Sequence, residues 1–194
     1  NNPDGRRYQA DDILQLAENV ELLIIDEAFC DAAPGLSLVP HLQGQNILVL
    51  RSLGKFFGLA GLRLGFVIGP DDIATVLGDR LGPWAVSGPA IEIGARALAD
   101  ENWIREMASD LKAKARRLND LLQASGLSIV GGTELFTLIE TNRAQAIYQA
   151  LGKAGILVRR FEDQPDWLRI GLPGAESEWE KLIAALSAIN NMGE

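Results

Sequence analysis

NILVLRSLGKFFGLAGLRLGFVIG, residues 46–69, decides how this chain folds. Its ends, Ile47-Leu48-Val49-Leu50 and Leu64-Gly65-Phe66-Val67-Ile68, are short apolar runs bounded by polar residues or glycine. Such runs predict strands buried on both faces. Between them lies a loop that carries Ser52, Lys55, Arg63 and the glycines Gly54, Gly58 and Gly61. A loop held between two core strands gives one lysine a defined position, with a hydroxyl three residues before it and a guanidinium eight after.

Two chemistries use such a set. Ser52-x-x-Lys55 has the spacing of the serine nucleophile and lysine base in penicillin-recognising enzymes, but these also need Ser-Asp-Asn and Lys-Thr-Gly. Neither tripeptide occurs in the chain. Alternatively, Lys55 bonds to an aldehyde cofactor whose phosphate is held by Ser52 and Arg63. Lysine suits that role because burial and a neighbouring cation favour the free amine, the form that attacks a carbonyl. Arginine suits phosphate because its planar fork donates two parallel hydrogen bonds. A solvated surface lysine is the plainer reading, and the flanking strands and Phe56-Phe57 weigh against it.

With 194 residues, 47% of them hydrophobic, the chain has ample material for a core, in one domain or two small ones. A formal charge of −8 argues against nucleic acid or an anionic membrane surface as partner. The single cysteine, Cys30, excludes an internal disulfide and fits a reducing cytoplasm. No transmembrane run, signal peptide, repeat or low-complexity tract is visible. No metal site is expected.

Asn1-Asn2-Pro3-Asp4-Gly5 is turn chemistry at all five positions. A turn that opens a chain predicts that a preceding part is missing. Residues 11–19 then predict a short helix with acidic residues in its first turn. Glu21 to Ile25 predicts a buried strand, ending in Asp26-Glu27-Ala28-Phe29. An apolar strand ending in Asp-Glu also describes the Walker B element of a nucleotide-driven motor. That reading needs G-x-x-x-x-G-K-[ST], whereas here Gly54-Lys55 precedes Phe56 and no glycine stands five residues before Gly54. In its plainest role Asp26 caps the next turn. Yet ligands of open α/β sheets collect at the carboxyl ends of strands, where Asp26 and Arg51-Ser52 are expected.

Taken in order, Asn2-Pro3-x-Gly5, Asp26-Glu27-Ala28-Phe29, Ser52-Leu-Gly-Lys55 and Gly58-Leu-Ala-Gly-Leu-Arg63-Leu-Gly65 resemble the signatures of fold-type I pyridoxal-phosphate enzymes. The resemblance is to the class I/II aminotransferases, in particular the histidinol-phosphate aminotransferase branch. It implies pyridoxal 5'-phosphate as cofactor, with Lys55 as the Schiff-base lysine and Asp26 paired with the pyridinium nitrogen. By the same resemblance Asn2 donates to the cofactor's 3-oxygen, and Ser52 and Arg63 bind its phosphate. One departure stands out. The family usually has tyrosine where this chain has Phe29, so no hydroxyl is available there for the 3-oxygen. Within the branch, Asp26-Glu27-Ala28-Phe29, Leu50-Arg51-Ser52-Leu53 and Gly82-Pro83-Trp84-Ala85-Val86-Ser87 look most like the threonine-phosphate decarboxylases of cobalamin biosynthesis.

Downstream, Pro70-Asp71-Asp72 opens a helix to about Leu81, and Gly82-Pro83-Trp84 breaks the chain. A helical pattern then runs over about 89–124. Its basic run, Lys112 to Arg117, reads as a solvated helix face, given the acidic residues before it. Strands are predicted at 127–130, 135–140, 156–160 and 167–171, with helices at 143–152 and 176–189. The expected fold is α/β: residues 1–100 form the C-terminal portion of a large, mostly parallel-sheet domain, and residues 101–194 form a small α+β domain. The long helix joins the two.

Arg169 sits in an otherwise apolar strand, where burial without an anion is unfavourable. It resembles the arginine with which the superfamily clamps a substrate carboxylate. Arg159 matches a second arginine, near the substrate's phosphate, with adjacent Arg160 the alternative. His41 reads as a surface loop residue and Trp84 as a hydrophobic plug at the domain junction, or else part of a pocket wall. The resemblance implies a phosphorylated amino acid as substrate, decarboxylation or transamination as reaction, and a homodimer as the intact protein. The same residues serve both reactions. Because the family's N-terminal region supplies further cofactor contacts, the chain by itself is expected to bind cofactor poorly. A regulatory domain on an aminotransferase body is the non-enzymatic alternative.

Overall fold

The computed structural model describes residues 1–191. They group into two compact units: Arg7–Ala108, and Asn1–Arg6 together with the chain from Ser109 onward.

The unit Arg7–Ala108 begins with helix α1 (Ala10–Ala17), followed by strands β1 (Leu23–Asp26), β2 (Ile47–Ser52) and β3 (Gly65–Ile68). These make one sheet in the order β1-β2-β3. β1 runs parallel to β2, from Leu23 opposite Ile47 to Asp26 opposite Leu50, and β3 pairs antiparallel with β2. Register partners project to the same side, and successive residues to opposite sides. Leu23, Ile25, Ile47, Val49 and Ile68 therefore share one face, and they form a core with Ala17 and Leu38. Ile24, Asp26, Leu48, Leu50, Ser52 and Val67 share the other.

The expectation of strands buried on both faces holds for the centre of the sheet only. Ile47, Leu48 and Val49 are buried, but Ile24 is 56% and Val67 42% exposed. The reason is position: β2 has a neighbour on each side, whereas β1 and β3 are the edges of this sheet.

Helices α2 (Asp71–Leu81), α3 (Gly88–Ala99) and α4 (Glu101–Ala124) follow. What the pattern predicts as one helix over 89–124 is thus two. Asp100 leaves helical geometry (φ −84°, ψ 73°), and its carboxylate accepts from the Trp103 backbone N–H at 3.0 Å, capping α4. Trp84, between α2 and α3, is 91% exposed rather than a packed plug. His41 is exposed, as expected.

In the other unit, β4 (Ser128–Thr133), β5 (Phe136–Glu140), β6 (Arg159–Arg160) and β7 (Trp167–Gly171) form an antiparallel sheet in the order β4-β5-β7-β6. Helices α5 (Ala144–Lys153) and α6 (Glu176–Asn191) belong to it. Its core joins Leu118 and Leu122 of α4 to Ile139, Ile147, Leu168 and Trp179. β6 is shorter than predicted, and Leu157 before it is exposed. The basic run is solvated and paired: Lys114 reaches Asp110 at 2.8 Å, and Arg117 bridges to Glu176 while lying over the Trp179 ring. Among the described residues, no helix is long and apolar enough to cross a membrane.

The turn Asn1–Arg6 lies against a bulge in β4 between Ile129 and Gly131. The approach is close enough to require glycine on both sides. A Cβ at Gly131 would stand 1.9 Å from the Asp4 carbonyl oxygen, and one at Gly5 (φ +68°) 2.1 Å from that of Gly132. Within the turn, Asp4 accepts from the Arg6 backbone N–H and from the Asn1 side chain. The first of these bonds does most to hold its carboxyl below the usual carboxylate range.

Candidate active site

Asp26 and Ser52 stand at the carboxyl ends of the parallel pair β1 and β2, on the same face of the sheet. One oxygen of exposed Asp26 accepts from the Ala28 N–H at 2.9 Å, the turn-capping role expected of it. The second oxygen is the one available to a ligand. Ser52 Oγ accepts from the Gly54 N–H at 3.1 Å, which leaves its own proton for an acceptor.

Lys55 is exposed, its Nζ 5.5 Å from the centroid of the Phe29 ring. The phenyl group therefore stands beside the amine at the position where the resembled family has a phenol. Arg63 follows a short helical turn, Ala60–Leu62, in left-handed backbone geometry (φ 52°). For a non-glycine residue that costs about 1 kcal/mol or more. Its Nη1 donates to the Ala60 carbonyl at 3.1 Å.

Two anchors of this loop were not foreseen. Gly94 of α3 lies under it so closely that a Cβ there would meet the Leu64 side chain at 2.4 Å and Leu53 at 3.3 Å. Phe56 and Phe57 pack against Trp103 of α4, with ring centroids 5.6 and 5.7 Å away. Only side chains buried next to Lys55 on both sides could have signalled this, and Leu53, Phe56 and Phe57 are those residues.

A third unforeseen element lies on the opposite face of the sheet. Glu27 is only 5% exposed. It accepts from the Leu38 N–H at 2.6 Å, Ser37 Oγ at 2.8 Å and Arg51 Nη1 at 3.3 Å. Arg51 Nη2 donates to Asp31. Burial, and then the Glu27 charge, push the nearby Cys30 thiol up to about 12.

The other unit carries Asn2, Arg159 and Arg169. Arg169 Nη1 donates to Asn2 Oδ1, and its guanidinium lies over the Phe136 ring, 4.8 Å from the centroid. With Oδ1 engaged, Asn2 keeps its Nδ2 protons for a ligand. Arg159 is the register partner of Arg169 across the β6–β7 ladder, so both side chains project from one face. Arg160 projects from the other, where it meets Gln145 at 3.2 Å and the Tyr148 ring. Partial burial, and secondarily Arg159, lower the affinity of Arg169 for its proton; the guanidinium remains charged throughout the physiological range.

Residues 1–186 match the family model for aminotransferase class I and II. A threonine-phosphate decarboxylase from Sinorhizobium sp is 41% identical over 192 residues, covering 96% of this chain and 57% of that protein. A histidinol-phosphate aminotransferase from Vibrio vulnificus is 33% identical over 193 residues, covering 94% and 54%. The crystal structure of the histidinol-phosphate aminotransferase from Clostridium acetobutylicum superposes with a TM-score of 0.89 at 26% identity, covering 98% of this chain and 62% of that one. The chain thus spans little more than half the length of the curated relatives it matches. On motif order, fold and family match together, it belongs to the class I and II aminotransferase family.

Proposed function

We propose that the protein containing this chain is a pyridoxal-phosphate-dependent enzyme acting on a phosphorylated amino acid, by decarboxylation in the manner of threonine-phosphate decarboxylase. The observation that carries the substrate class is the pairing of Arg159 with Arg169 on one sheet face. Two guanidinium groups side by side suit a ligand with two anionic groups, such as a carboxylate and a phosphate. The 41% identity to a threonine-phosphate decarboxylase supports the choice of reaction.

The donor set of the Arg7–Ala108 unit fits a phosphorylated aldehyde. Ser52 and Arg63 offer a hydroxyl and a fork for the phosphate, Lys55 an exposed amine for the aldehyde carbon, and Asp26 a carboxylate for a protonated ring nitrogen. Bound there, pyridoxal phosphate would supply an electron sink for charge developing at the substrate α-carbon. Asp26 would keep the ring nitrogen protonated; for Asn2, the contact to the ring 3-oxygen rests on the family resemblance alone. Arg169 would grip the carboxylate in two parallel hydrogen bonds, and Arg159 the phosphate. The exposed Lys55 amine would also be the group to accept or return a proton there.

A second reading, amine transfer as in the histidinol-phosphate aminotransferases, is supported by the 33% identity to one of them, and the same residues would serve it. The family's habit supports a homodimer in the cytoplasm for the intact protein, to be checked by light scattering.

The test uses full-length protein. Pyridoxal phosphate is added and reduced with borohydride, and the modified peptide is identified by mass spectrometry; L-threonine phosphate is then supplied. A label on Lys55 with release of carbon dioxide is expected. Amine transfer to 2-oxoglutarate instead would move the protein to the second reading. An unlabelled Lys55 would overturn the cofactor assignment.

A further inference from the structure

The geometry points to the Glu27–Arg51–Asp31 cluster as a positioning clip that fixes Asp26 and the Ser52–Lys55 segment from the back of the sheet. The inference rests on the cofactor reading given above. Glu27 directly follows Asp26, and Arg51 directly precedes Ser52. Alternation along the strands puts the ionic cluster on the core face and the two ligand-facing groups on the other. One guanidinium therefore joins the residue after Asp26 to the residue before Ser52, with its second nitrogen on Asp31 in the connecting loop. The backbone adds a bond of its own, from the Glu27 N–H to the Leu50 carbonyl at 2.9 Å.

Stability alone does not call for such a cluster. A buried ion pair can usually be replaced by apolar or neutral groups of similar volume at little cost, whereas removal of one partner strands the other charge. What the ionic version adds is direction. The Glu27 carboxylate has three donors converging on it, and Arg51 spans two carboxylates. A shift of about 1 Å in either strand end would lengthen several of these bonds at once, and displacements of that size matter where groups must be aligned on a ligand.

The experiment compares full-length wild type with the triple variant Arg51→Met/Glu27→Gln/Asp31→Asn, which removes all three charges and strands none. The probe is pyridoxal phosphate. If the cluster is a clip, the urea midpoint stays near wild type, cofactor Kd weakens by about tenfold to a hundredfold, and the visible circular dichroism of the bound cofactor loses amplitude. Arg51→Lys, charged but without the fork, gives an intermediate Kd. A wild-type Kd and dichroism in the triple variant, or a weakening that merely follows a lowered urea midpoint, overturns the clip. Amide exchange without cofactor probes the clip independently: residues 52–55 exchange faster in the variant and residues 47–49 do not. Wild-type protein that takes up no cofactor would sink the cofactor reading, and the clip would then stand or fall on exchange alone.

Discussion

Arg169 donates to the side-chain oxygen of Asn2 across 167 positions of sequence. The bond decides the orientation of an amide whose two ends are otherwise chemically ambiguous: oxygen towards the guanidinium, nitrogen away from it. In the same unit Arg159 is drawn alongside Arg169 by strand register. Three side chains from three parts of the sequence thus form one polar group.

On the proposed function, Arg169→Ala in the full-length protein is expected to lower kcat/KM by about a hundredfold or more, the loss of one or two hydrogen bonds to a charged group. Arg169→Lys should recover little of it, because an ammonium cannot make the parallel pair. Steady-state kinetics with L-threonine phosphate would show this. Equal losses for unphosphorylated L-threonine and its phosphate in Arg159→Ala would separate Arg159 from the phosphate.

Gly131→Ala should destabilise the protein by about 1–3 kcal/mol, as over-packing does, since its Cβ would strike the Asp4 carbonyl. Gly152→Ala, on α5 with open space around it, should stabilise by about 0.5–1 kcal/mol through helix propensity. Opposite signs in urea titrations are the check.

Leu118→Ala should cost about 2–5 kcal/mol, as for a fully buried leucine whose cavity closes only in part. The same titration reads it, and a near-zero loss would mean that the surrounding helices collapse into the gap.

Cys30 yields a pH-dependent prediction. Its thiol pKa rises from an ordinary 9.0 to about 12 on folding. A raised folded pKa means that the associated stability is fully present below pH 9 and is lost as pH climbs towards 12, because the unfolded chain gives up its proton first. Cys30→Ala should therefore flatten that part of the stability profile relative to wild type. The native thiol should also resist iodoacetamide at neutral pH, where thiolate is the reactive form. Rapid alkylation of the folded protein would contradict both statements.

Much of this was legible in the sequence because it is local. The two apolar runs around Lys55 became β2 and β3, and Asp71 and Gly82 bound α2. What escaped prediction depends on neighbours far away in the chain. The apolar composition of β1 and β3 says nothing about whether anything covers them, so the exposure of Ile24 and Val67 was invisible. The pattern over 89–124 is helical throughout, and only the carboxylate of Asp100, capping Trp103, divides it. Glu27 reads as part of a motif, but its burial with Arg51 and Ser37 depends on how a loop folds back over the strand ends. Likewise, nothing in Asn1–Arg6 announces that Gly131 and Gly132 receive it.

At position 63 the backbone and the side chain want different residues. Left-handed geometry is most comfortable for glycine and next for asparagine or aspartate, yet none of these carries a guanidinium. Arg63→Gly would be expected to relax the turn and raise thermal resistance while removing a cation from the loop. Directed selection for heat tolerance alone would thus tend to discard the arginine, and selection for anion capture to restore it, so that one codon reports which pressure a population is under.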